Sequence, residues 1–161
     1  MNILNKKTIL LAADHAGFEL KEKLKIFLRA KGYEIEDLGA FALDKGDDYT
    51  DYMHMAGMRV GAEPETYVGI ILGGSGQGEA MVANRYKNVR AAVYYGGKEE
   101  TVKLAREHNN ANILSLGARF VGEEEAERAV QLFLITPFSG EERHTRRIGE
   151  VDNPPSGNYT F

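Results

Sequence analysis

The sequence predicts an α/β fold, with a parallel sheet of about five strands between two layers of helices. Short apolar runs alternate with segments of helical apolar spacing along the whole chain. The helical segments span about 10 to 15 residues, the length that joins parallel neighbours by a crossover rather than a hairpin. The first run, Thr8 to Ala13, is continuously apolar, as expected of a strand buried on both faces.

After Asp14-His15-Ala16-Gly17, residues Leu20, Leu24, Phe27 and Leu28 recur at helical spacing until Gly32. Tyr33 to Leu38 predicts a second, short strand, followed by a polar loop from Gly39 through Asp48. Tyr49, Met53, Ala56 and Val60 form the next helical stripe, and Val68 to Leu72 a third strand. That strand runs into Gly73-Gly74-Ser75-Gly76-Gln77-Gly78, with a helix expected from about Glu79. Ala91 to Tyr95 predicts a fourth strand, Glu99 to Glu107 a helix, and Ile113 to Leu116 a fifth strand. Glu123 to Leu134 has Ala126, Val130, Phe133 and Leu134 on one side. Pro137 then breaks the chain before a basic helix at about Glu141 to Val151.

The length of 161 residues fits one domain, expected over residues 1–151 with the basic helix included, and residues 152–161 form a turn-rich, irregular tail. The composition, 43% apolar and 27% charged, is that of a globular protein. A net charge of -4 gives nucleic-acid binding no global electrostatic support. The absence of cysteine excludes disulfides, thiolate metal ligands and thiol nucleophiles. No apolar run approaches the roughly 20 residues that span a bilayer, and the N-terminus lacks the pattern of a signal peptide. A soluble cytoplasmic protein, without a membrane or nucleic-acid partner, is the expectation.

In parallel sheets, ligands bind outside the carboxyl ends of the strands. Asp14-His15, the glycine loop and Arg119 fall there. The loop has four glycines in six positions, so its backbone N–H groups can approach an anion closely. It is neither a dinucleotide fingerprint nor a P-loop, because Glu79 stands where the first needs glycine and the second lysine. A glutamate beside a ring of N–H donors suits proton abstraction next to a carbonyl, with the donors holding the enediolate. Position alone also allows Glu79 to be an acidic residue in a helix's first turn, favoured by the macrodipole. Asp14 can accept from a sugar hydroxyl and His15 can donate to an anion, or the pair can be a helix cap with an exposed histidine. His108 closes a helix, where histidines also serve terminal carbonyls. Arg143 and Arg147, four apart, share one helical face and can grip a phosphate, or pair with Glu141, Glu142 and Glu150. The four histidines show no HExxH or other close pair, so no metal site is indicated. His54 has no visible partner.

Five collinear segments carry a resemblance. They are Ala13 to Lys21, Gly69 to Glu79, Ala83-Asn84-Arg85, Ala105 to Ala111, and Arg143-His144-Thr145-Arg146-Arg147. From Ile9 to about Val151 the chain resembles the ribose-5-phosphate isomerase B family, which includes galactose-6-phosphate and allose-6-phosphate isomerases. Much of that family carries a cysteine base at the position of Gly73, and this chain resembles the branch in which Glu79 does that work. The resemblance implies a Rossmann-like three-layer αβα sandwich, a dimer or tetramer with active sites shared between subunits, and no metal or nucleotide cofactor. It implies that His108 opens the sugar ring with Asp14 assisting, and that Gly74, Ser75, Gly76, Gln77, Gly78 and Asn109 hold the enediolate. His15, Arg119, Arg143 and Arg147 would bind hydroxyls and phosphate. The substrate expected is ribose 5-phosphate; a hexose 6-phosphate, or a non-catalytic sugar-phosphate binding protein, are the alternatives.

Overall fold

The computed structural model describes residues 6–154. Five strands, β1 (Thr8–Ala13), β2 (Ile35–Asp37), β3 (Tyr67–Gly73), β4 (Ala91–Tyr94) and β5 (Ile113–Gly117), form one parallel sheet in the order β2-β1-β3-β5-β4. The helices are α1 (Phe18–Ala30), α2 (Tyr49–Ala62), α3 (Gln77–Ala83), α4 (Glu100–Asn109), α5 (Glu123–Ile135) and α6 (Glu142–Val151). Along β1, Ile9, Leu11 and Ala13 pack with α1 and α5, while Leu10 and Ala12 pack with α2. Both faces of the strand are therefore apolar, which is why its sequence does not alternate. The crossover helices follow the strand order. α1 and α4 join strands in one direction and cover one face; α2 and α3 run in the other direction and cover the opposite face. Right-handed crossovers require this split.

Two predicted boundaries shift for local reasons. β2 is shorter than Tyr33 to Leu38, because the Tyr33 N–H donates to the Leu28 carbonyl (3.1 Å) and so belongs to the end of α1, where Gly32 adopts φ +83°. α3 begins at Gln77, two residues before Glu79, because Gly76 turns the chain at φ +77° and the Ala80 N–H already reaches its carbonyl. The tail beyond Pro154 lies outside the described residues. No described helix is long and apolar enough to cross a membrane.

Candidate active site

β1 leads to β2 on one side and β3 lies on the other, so the strand order reverses between β1 and β3. A crevice opens outside the carboxyl ends of the strands at such a point. The sequence places Asp14-His15 at the end of β1 and the loop Gly73 to Gly78 at the end of β3. A pocket of about 340 Å³ lies there, lined by Asp14, His15, Gly74, Ser75, Gly78, Glu79 and Arg119, with Tyr49 and Phe120 in its wall.

Glu79 is 5% exposed although it is an ionisable residue near a helix start. A Cβ built on Gly73 would lie 1.7 Å from Glu79 Oε1. The carboxyl group thus occupies the space that any side chain at position 73 would need, and glycine there is a condition of its placement. Burial pushes this carboxyl above the ordinary carboxylate range; backbone N–H groups of Glu79 and Gly76 oppose the shift, and the charge of Asp14 adds to it. The loop around it is pinned. The Ser115 hydroxyl donates to the Gly76 carbonyl (2.7 Å), and the Ala118 and Arg119 N–H groups donate to the carbonyls of Gly73 and Gly74 (2.8 and 3.1 Å). The Arg119 guanidinium lies against Gly74, and the Tyr49 phenol against Gly78, each so close that a Cβ on the glycine would be crowded.

Asp14 is buried and its Oδ1 accepts from the N–H groups of Ala16 and Gly17 (2.9 and 3.1 Å). This is a turn before α1, whose N-cap position is Gly17, so Asp14 is not the helix cap. His15 is held by Asp47, from the loop before α2: Asp47 Oδ1 lies 3.0 Å from the His15 N and 2.7 Å from its Nδ1. Asp14, His15 and Asp47 each bring a donor atom within 4.8 Å of the others. Within this group His15 Nδ1 is hydrogen-bonded to Asp47, while Asp14 Oδ2 stands 4.0 Å from it. Gln77, the first residue of α3, lines a separate hollow with Met81, Asn84 and Arg85.

The remaining candidates are not brought to this pocket by their own chain. α4 starts beyond the carboxyl end of β4 and returns to the amino end of β5, so His108 and Asn109 stand at the opposite edge of the sheet. The four steps of β5 alone span about 13 Å. There the His108 ring packs on the His144 ring of α6, with centroids 4.4 Å apart. Asn109 and Arg147 line a second pocket of about 500 Å³, together with Asn84, Arg90 and Asp152. Arg143 pairs with Glu141 (2.8 Å). Buried Arg106 holds this corner together, bonding Asn110 Oδ1 (2.9 Å), the Thr136 carbonyl (3.2 Å) and the Ala111 carbonyl. Burial, with Arg90 nearby, pulls its pKa down to about 10. His54 bonds the Tyr86 hydroxyl (2.8 Å), away from both pockets. Sequence reasoning passed over Asp47, which lies in an acidic loop with nothing to single it out, and read Tyr49 only as part of the helical stripe of α2.

A profile of the Ribose/Galactose Isomerase family matches residues 9–151. Ribose-5-phosphate isomerase B of Mycolicibacterium paratuberculosis is 43% identical over 140 residues, covering 87% of this chain and 86% of that protein. The fold is similar to ribose-5-phosphate isomerase B of Mycoplasma genitalium with bound ribulose-5-phosphate, at TM-score 0.85 and 38% identity over 89% of this chain and 93% of that one. It is also similar to the Thermotoga maritima enzyme, at TM-score 0.83 and 44% identity, with coverages of 91% and 97%. With nearly the whole domain matched, and the glycine loop and its buried glutamate set at the switch point of the sheet, the chain belongs to the ribose/galactose isomerase family.

Proposed function

We propose that this protein interconverts ribose 5-phosphate and ribulose 5-phosphate through an enediolate, with Glu79 as the base. The observation that carries the reading is the Glu79 carboxyl, buried in the space left by Gly73 and beside the N–H groups of the glycine loop. In the open-chain aldose, Glu79 takes the proton from C2, and the electrons move to the carbonyl oxygen at C1. The N–H groups of Gly74 to Gly78 and the Ser75 hydroxyl hold the resulting oxyanion. Transfer of the C2 hydroxyl proton to the oxyanion at O1, with return of the abstracted proton from Glu79 to C1, completes the ketose; no redox partner is consumed. Ring opening before this step falls to His108, assisted by Asp14.

The opposite-edge placement of His108, Asn109 and Arg147 supports a shared site. In an assembly of two copies, the pocket at Glu79 receives His108 of the partner subunit to open the ring, and the basic face of the partner subunit's α6 to bind the phosphate. Arg119 and His15 contribute from the same chain as Glu79. Turnover of ribose 5-phosphate, allose 6-phosphate and galactose 6-phosphate, each with EDTA present, tests the reading. Preference for the pentose with undiminished activity under chelation is expected. A metal requirement overturns the proton-transfer route, and preference for a hexose moves the substrate to the six-carbon members of the family.

A further inference from the structure

His15 reaches the pocket on a short loop, and an imidazole on a loop is useful only if its ring is held. Asp47 meets two nitrogens of that one residue: the same Oδ1 lies 3.0 Å from the backbone nitrogen and 2.7 Å from Nδ1. Two bonds to one oxygen fix the residue's main chain and its ring together. The side chain of Asp47 is 7% exposed, and its other oxygen, Oδ2, is buried with no donor in hydrogen-bonding geometry. The Tyr52 phenol lies beside this carboxylate: burial raises its pKa, and the charge of Asp47 and the contact between the two side chains raise it further. A carboxylate held this far out of water, with one oxygen given wholly to a single histidine, calls for a role.

We infer that Asp47 is a positioning residue that holds His15 with its Nδ1 proton towards the carboxylate and presents Nε2 to the sugar phosphate. This rests on the isomerase reading for its substrate. With the Nδ1 proton committed to Asp47, Nε2 is the ring nitrogen left for the ligand, and its position is set by a residue 32 positions away in sequence.

The test joins histidine ring NMR with a double-mutant cycle. In the unliganded wild type, nitrogen-edited spectra are expected to show the His15 ring proton on Nδ1, and Asp47→Ala is expected to lose that signal. Asp47→Ala should lower kcat/KM for ribose 5-phosphate about 10- to 100-fold, the scale of a misplaced contact group. Asp47→Asn, which keeps an acceptor oxygen, should recover most of the loss. In a His15→Ala background, Asp47→Ala and Asp47→Asn should each add less than about twofold, because their effect passes through the missing ring. Additive losses, an unchanged kcat/KM in Asp47→Ala, or a wild-type His15 ring with a bare Nδ1 would each overturn the assignment. If the wild type turns over no sugar phosphate, the isomerase reading falls, and the NMR arm still decides what Asp47 does to His15.

Discussion

Glu79 keeps its carboxyl group out of water and near a second carboxylate, Asp14, and both features disfavour ionisation. Its pKa is raised, so the folded protein holds this proton more tightly than the unfolded chain does. Stability contributed by that preference is present below the ordinary glutamate pKa and is lost as pH rises through the raised value. A base, by contrast, works only when deprotonated. The acid limb of kcat/KM is therefore expected above the usual glutamate range. Glu79→Gln should lower kcat by about 10²- to 10⁴-fold with KM little changed, while melting at a higher temperature than the wild type at neutral pH. A Glu79→Gln protein with more than a tenth of wild-type kcat would remove Glu79 from the base role. Gly73 offers a complementary probe. A methyl group there collides with Glu79 Oε1, so Gly73→Ala should swing the carboxyl out and cost about 10²-fold or more in kcat/KM. Circular dichroism should remain that of the folded protein. Normal turnover would mean that the carboxyl position is not critical.

At the scale of elements, α6 presents a basic face built on Arg143, Arg146 and Arg147, anchored to α4 through the rings of His108 and His144. Its arginines are not equivalent. Arg143 pairs with Glu141 and Arg146 with Glu150, whereas Arg147 lines the pocket beside Asn109. Arg147→Ala is therefore expected to raise KM for the phosphorylated sugar strongly and to affect the unphosphorylated sugar far less, because a charge-assisted contact is lost. Measuring both substrates checks this, and an equal effect on the two would make Arg147 a structural residue. The helical spacing of this face is apparent in the sequence. Which arginine is already occupied by a glutamate is not, because Glu141, Glu142 and Glu150 are all within reach along one helix.

For the whole molecule, Glu79 and His108 stand at opposite edges of the sheet, so under the proposed shared site activity belongs to the assembly. A mixture of Glu79→Gln and His108→Ala proteins, dissociated and reassociated, provides the test. If the site joins Glu79 of one copy to His108 of another, half of randomly paired dimers carry one intact site out of two. About a quarter of wild-type activity should then return from two inactive parents. No recovery in a verified hybrid would place both groups in a single chain.

The sequence by itself determined the α/β class, five parallel strands and the edge at which to look for ligands, because apolar periodicity is local and ligands bind outside the carboxyl ends of parallel strands whatever their order. It also marked Glu79 and the glycine loop, which adjoin in the chain. Only the tertiary structure decided that Glu79 fills the space of Gly73, that Asp47 grips His15 and that Tyr49 faces Gly78 rather than the core. It likewise decided that His108 and Arg147 stand at the edge opposite Glu79. The reason is the same in each case. These relations depend on how far each helix returns across the sheet and on which side chains, distant in sequence, meet when it does.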